Sequence, residues 1–353
     1  MKSFRILLLA LLSLTVFVSC DDTKEKDLED VDLAQLLVSF KTPDLDNLWG
    51  PDWKDEWQYT WNETAPEFGT IGYTKPDLIK GTIYNVDRYT GRRYSSFFKI
   101  FDSNGGRVSL TAGSVYDMLF YNFPEKALFR ASDDFEEYTA LTPPNGYDSL
   151  GVYNQAPEPR ELLGVMLTGV DFSNAPSDYE KETDADGNVC YIRNIDVELN
   201  PYSIIYLIQV VIMNNNDVIT GARDITVSGL APGVDLFTRK TFNKTIFIST
   251  EDVKPLQNHK NVRLEDGTVV ENAEILAARM LTWGLPDINP MVFSKVDTKV
   301  PEQESNYMAV DLMLRDGRRY TKVLNITEQM YNKPAGGVIT VCVDVNDIAL
   351  LIE

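Results

Sequence analysis

Histidine and cysteine are nearly missing from this chain, with one His and three Cys among 353 residues. Cys20, Cys190, Cys342 and His259 show none of the close ligand spacing of a Cys/His zinc cluster. Any triad that needs an imidazole has only His259 to use, and that residue sits beside Lys260 in the polar stretch Leu256–Asn261, as a solvated surface side chain would. Glycine-rich phosphate loops and nucleophile elbows are absent too. Glu182–Gly187 opens like a calcium loop, but the twelfth position is Arg193 where a bidentate Glu is required, so a hairpin turn is expected. No catalytic residue, metal or cofactor is expected, and the chain reads as a non-enzyme. Positive charge is scarce as well: 33 basic against 53 acidic residues give −20. Such a surface repels phosphate backbones and anionic headgroups, which argues against nucleic acid as a partner and against broad electrostatic membrane contact.

The content that remains is ordinary for a globular protein, 44% hydrophobic and 24% charged, and the length suits about two domains. Its clearest signal is N-terminal. Lys2 and Arg5 precede the apolar run Ile6–Val18, which is closed by Ser19 and Cys20. This run is shorter than the roughly 20 residues of a membrane span and suits a secretory signal. A small residue before a Cys at its end resembles the bacterial lipobox, which makes residues 1–19 a lipoprotein signal peptide and Cys20 the lipidated first residue of the mature chain. Phe17 and Val18 depart from the commonest lipobox residues, and a plain secretory signal with an incidental Cys20 is the alternative. Two or three acyl chains such as palmitate, at about 0.8 kcal/mol per buried CH₂, give a lasting anchor. A membrane location through this lipid anchor is expected. Without Lys2 and Arg5 the charge is −22, which holds the body off an anionic envelope.

Residues 20–32 have the polar, acidic composition of a solvated tether. Beyond them the dominant period is two. Glu56–Asn62 alternates aromatic and polar residues, and Tyr94–Phe101, Arg107–Leu110 and Tyr116–Tyr121 are further strand candidates. Asn104-Gly105-Gly106, Asp266-Gly267 and Asp316-Gly317 mark turns. Tyr202–Met213 is apolar except for Gln209, as in a central strand covered on both faces. Val269–Leu281 fits either a short helix or a strand. Many short strands between turn signals predict an all-β protein of two tandem β-sandwiches. The proline-rich interval Thr142–Pro159 suggests the boundary, with one domain over 33–155 and the other over 156–353. Export would permit a bridge between Cys190 and Cys342, although two separate buried thiols fit as well.

The lipobox-like Cys20, Gly81–Asn85, Val108–Gly113, Tyr116–Asn122 and Ile225–Leu236, taken in order, resemble the fimbrial anchor and minor-subunit lipoproteins of Bacteroidales and their uncharacterised sister families. The resemblance implies tandem transthyretin-like sandwiches, an outer-membrane lipid anchor, and a structural or adhesive role with fimbrial subunits as partners. Only Cys20 is carried over as a functional residue.

Trp49, Trp53, Trp57 and Trp61 recur every four residues, and an extended chain places them on one side. Trp53, Trp57 and Trp61 are therefore candidate ligand-facing aromatics. Packing on a sandwich is the commoner use of such a row, whereas a sugar-stacking platform would make the protein a glycan-binding lipoprotein of a nutrient-uptake system. The C-terminal stretch offers a strand over Val338–Val345, a polar Asn346-Asp347, and the apolar Ile348–Ile352. Either it completes the second sandwich, or Ile348, Leu350 and Ile352 are available for strand exchange with a partner.

Overall fold

The computed structural model describes residues 30–61, 69–124, 127–142, 146–147, 153–258, 261–264, 266–291 and 305–349. The signal region, Cys20, His259, Leu350 and Ile352 lie outside the described residues. Alternation of apolar and polar side chains decides most of the strands. β1 (Leu33–Lys41) buries Ala34, Leu36, Val38 and Phe40 and turns the residues between them outward, the signature of a strand with one face on a core. Two single-turn helices follow, α1 (Leu45–Trp49) and α2 (Trp53–Glu56), and then four successive strands, β2 (Leu78–Val86), β3 (Arg93–Asp102), β4 (Gly106–Thr111) and β5 (Ser114–Tyr121). The hairpin β6 (Leu128–Ala131) and β7 (Tyr138–Leu141) and the short pair β8 (Gly146–Tyr147) and β9 (Tyr153–Pro157) come next. They lead to β10 (Leu163–Phe172), β11 (Glu180–Thr183), β12 (Val189–Glu198) and β13 (Asn200–Pro201). The chain continues through β14 (Ile204–Met213), β15 (Ile219–Leu230), β16 (Gly233–Asp235), β17 (Ile246–Thr250) and β18 (Val253–Asn258). The remaining elements are β19 (Asn261–Arg263), β20 (Val269–Glu271), β21 (Glu274–Thr282), β22 (Tyr307–Leu314), β23 (Arg319–Asn325), α3 (Thr327–Asn332), β24 (Gly337–Asp344) and α4 (Val345–Ala349).

The protein is all-β, built from two sandwiches. In the first, the sheet β11-β12-β1-β4 faces the sheet β13-β10-β5-β2-β3 across a core that includes Leu36, Val38, Ile83, Met118 and Phe172. Phe40, Phe101 and Phe120 meet edge to face within it, at centroid distances of 5.5–5.9 Å. A Cβ at Gly81 would stand 2.8 Å from both the Phe101 and the Phe120 rings, so only glycine leaves room for this cluster. In the second sandwich, β18-β21-β14-β24 faces β23-β22-β15-β17-β9-β8. The small sheet β16-β7-β6 lies between the two: Ala140, Val234, Leu236 and Trp283 bury Leu119 and Tyr121 on the outer side of the first sandwich.

β14 has the double burial its composition predicts. Ile204, Tyr206, Ile208, Val210 and Ile212 enter the second core, while Ile205, Leu207 and Val211 lie under a separate layer. Val269–Leu281 is strand, its longer part (β21) pairing antiparallel with β14 from Glu274 to Thr282.

Three expectations require correction. The chain does not change core at residue 155. β8 and β9 already pair within the second sandwich, and β10, β11 and β12 return to the first. The proline-rich interval brackets a short excursion into the second sandwich, and the lasting change of core comes near residues 199–203. Glu56–Asn62 forms no ladder over its described part: Trp53–Glu56 is helical and 57–61 carries no strand. Finally, Ile348 does not open a strand available for exchange. β24 ends at Asp344, whose Oδ1 accepts from Asn346 N at 2.9 Å, and α4 buries Ile348 completely in the second core. Cys190 on β12 and Cys342 on β24 are free, half-buried thiols in different sandwiches.

Candidate functional site

The tryptophan segment is a plate laid over the outer face of the β18-β21-β14-β24 sheet. Asp44 caps α1 by accepting from Asn47 N at 2.8 Å, and Gly50, at φ +81°, ends the helix with its N–H on Asp46 O at 3.0 Å. This turn brings the Trp49 and Trp53 rings edge to face at 5.6 Å. Trp49 Nε1 donates to Ala335 O at 3.1 Å and Trp53 Nε1 to Asp46 Oδ1 at 2.8 Å. Further on, Tyr59 and Trp61 are buried with Leu45 and Ile71 against Ile205, Leu207, Val211, Ala277 and Val338. Lys254 Nζ lies 5.1 Å from the Trp61 ring centroid, a cation–π contact in a site from which water is largely excluded. Trp53 and Trp57 are half-buried, and Trp57 Nε1 is buried without a hydrogen-bond partner among the described residues.

Gln209, the one polar residue of β14's outer face, is fully buried and is what fixes the plate. Its Nε2 donates to Glu56 O and Thr340 Oγ1, both at 2.7 Å, and its Oε1 accepts from Gln58 N at 3.0 Å. Thr60 N and O are likewise held by the Gln257 side chain. The three candidate aromatics therefore do not stand in a common exposed row. Beside the plate is an open cleft of about 370 Å³ lined by Asp52, Asp55, Glu56, Arg263 and Lys333, with Lys333 Nζ 2.8 Å from Glu56 Oε2. Sequence reasoning had no route to it, because its residues come from three distant segments.

A second feature joins the two sandwiches. β1 runs parallel to β12 over seven pairs, Gln35 opposite Ile192 through Lys41 opposite Glu198. β12 passes through residues 199–203 straight into β14, which in turn runs parallel to β24 over eight pairs, Tyr206 opposite Gly337 through Met213 opposite Asp344. The junction is tied down. Leu199 N donates to Lys41 O at 2.9 Å, Tyr202 OH to Leu236 O at 2.6 Å, and the buried Ser203 accepts from Leu162 N at 2.8 Å. Tyr73 OH donates to Ser203 O at 2.9 Å. Arg279 closes the same region by pairing with Glu161 and donating to Ile71 O and Gly72 O.

Several solved structures resemble this arrangement. A candidate adhesin from Bacteroides ovatus is 13% identical with a TM-score of 0.45, covering 93% of this chain and 97% of its own. A second, from Bacteroides thetaiotaomicron, is 10% identical with a TM-score of 0.44, covering 91% and 94%. The fimbrial anchor protein Mfa2 of Porphyromonas gingivalis is 9% identical with a TM-score of 0.39, covering 88% and 90%. All three come from Bacteroidales, the group whose fimbrial lipoproteins the sequence resembles. No family model and no curated protein matches the chain.

Proposed function

We propose that this protein is a lipid-anchored, non-enzymatic outer-membrane protein of the cell surface, with a structural or adhesive role in fimbria anchoring or assembly. The observation that carries this reading is the path from the tether through the fold. A pull on residues 20–32 reaches β1, crosses to β12 through a parallel ladder, passes the buried junction into β14, and crosses to β24 through a second parallel ladder. In both ladders the load acts along the strands at opposite ends of the pair, so evenly spaced hydrogen bonds share it. This is the geometry a tethered, load-carrying protein needs. The lipobox-like Cys20 and the acidic tether supply the other end.

Replacing Cys20 with Ser tests the anchor: acylation is lost and the protein moves from the membrane fraction to the periplasm or medium. If surface fibres or adhesion persist unchanged while that variant is soluble, the structural role fails. Protease added to intact cells should cut the unsubstituted protein, and full protection until lysis would place it inside the envelope. The second reading, a glycan-binding lipoprotein of an uptake system, no longer rests on Trp53, Trp57 and Trp61 and would have to use the mixed-charge cleft beside them.

A further inference from the structure

β3 is an edge strand of the five-stranded sheet, and among the described residues nothing pairs with its outer side except at its last residue, Asp102, which bridges to Gly105. Natural edges are usually short, charged or interrupted by proline. β3 has ten residues and no proline, and it exposes Tyr94 (63%), Phe97 (40%), Phe98 (62%) and Ile100 (48%). These side chains lie on both faces. Phe97 stands opposite the core residue Ile83, so it belongs to the inner face, whereas Phe98 and Ile100 stand opposite Thr82 and Lys80 on the outer face. A flat surface would contact one face only, but an added strand flanks both. The arginines nearby are ion-paired, Arg88 with Asp171, Arg93 with Asp117 and Arg107 with Glu182, whereas Lys80 lies over the Phe98 ring at 4.8 Å and Lys99 donates to Arg107 O.

We propose that β3 is a self-association edge, on which β3 of a second copy adds antiparallel about a two-fold axis at Phe97. Such an axis keeps each face on its own side, so only positions of like parity can oppose one another. Centred on Phe97, the ladder sets Phe97 against Phe97, Phe98 against Ser96 and Lys99 against Ser95 of the second copy. Large side chains then meet apolar or small ones throughout. The two Lys99 residues are about 13 Å apart along the strands at ~3.3 Å per residue, beyond the ~8 Å screening length of physiological salt. An axis at Lys99 would oppose two ammonium groups, and one at Phe98 would press each lysine onto Phe97. The bulge between Asn85 and Val86 at one end of β3, and the turn to Gly105 at the other, limit the ladder to this straight stretch. The joined sheet has ten strands, near the usual limit of roughly 10 for open sheets.

The register makes the test specific. In intact cells treated with a mild oxidant, Phe97→Cys should give a disulfide-linked dimer of twice the chain mass. Its symmetry-related Cα atoms lie at about 4.5–5.5 Å in such a ladder. Phe98→Cys should not cross-link, because its two copies are offset by two residues and fall beyond the ~7 Å that a disulfide tolerates. The unsubstituted chain, with Cys190 and Cys342 half-buried, gives the background. By sedimentation equilibrium in detergent the full chain should be dimeric, more so at higher salt because each copy carries a charge of −20. Phe98→Lys should be monomeric with an unchanged circular-dichroism spectrum and Tm. A monomer at every concentration overturns the proposal, as does cross-linking at Phe98 without Phe97, or a dimer that survives Phe98→Lys. Capture of β3 by a different protein alone would also overturn it.

Discussion

Glu158 follows β9 where the chain leaves the second sandwich for the first, and burial sets the state of its carboxyl. Burial pushes it up to about 7, although the Thr250 hydroxyl, the Leu281 backbone amide and the Arg279 guanidinium favour the charged form and only Asp252 opposes it further. Its Oε1 is buried with no hydrogen-bond partner among the described residues. Between the ordinary value near 4.5 and about 7 the folded state holds a proton that the unfolded state has released. The contribution of this group to stability is thus complete below pH 4.5 and is lost as pH rises through 7. Glu158→Gln keeps the shape without the charge. Relative to the unsubstituted protein it should become progressively more stable from pH 5 to pH 8, by at most about 1.4 kcal/mol per pH unit. Urea unfolding at several pH values reads this directly, and parallel curves for the two proteins would refute it.

At the scale of elements, the tryptophan segment shows what a sequence can and cannot convey. The alternation in Gln58-Tyr59-Thr60-Trp61 is real: Tyr59 and Trp61 face the sheet, and Gln58 and Thr60 turn away. The absent ladder could not be foreseen, because the backbone partners of this extended stretch are the side-chain amides of Gln209 and Gln257. Likewise, β14 was legible as a strand buried on both faces, but not the identity of its second cover. The boundary was misread because β12 fills a place beside β1 that only pairing reveals. Gln209→Leu should therefore cost about 2 kcal/mol through the partners left unsatisfied. The damage should be local: faster amide exchange over residues 45–61 and red-shifted tryptophan emission, with the exchange of β22 and β15 unaffected. A uniform loss of protection across both sandwiches would mean that the plate is not a separate layer.

For the whole molecule, strand direction decides how force is borne. A pull between Asp32 and Asn346 loads β1 at its N-terminal end and β12 at its C-terminal end, then β14 at its N-terminal end and β24 at its C-terminal end. Each parallel ladder is sheared, and no single hydrogen bond can be opened before its neighbours. A pull between Asp32 and Thr111 acts differently. β1 and β4 are antiparallel, with Leu33 opposite Thr111, so the load arrives at one end of the pair and opens its six residue pairs in sequence. Forced rupture reports the unfolding rate and not equilibrium stability, so the two geometries can differ widely in one protein of one stability. With cysteine-linked handles placed by Asp32→Cys and Asn346→Cys, and separately by Asp32→Cys and Thr111→Cys, single-molecule pulling should need a several-fold higher force in the first geometry. Equal rupture forces would remove the mechanical basis for a load-carrying role, whatever the protein proves to hold.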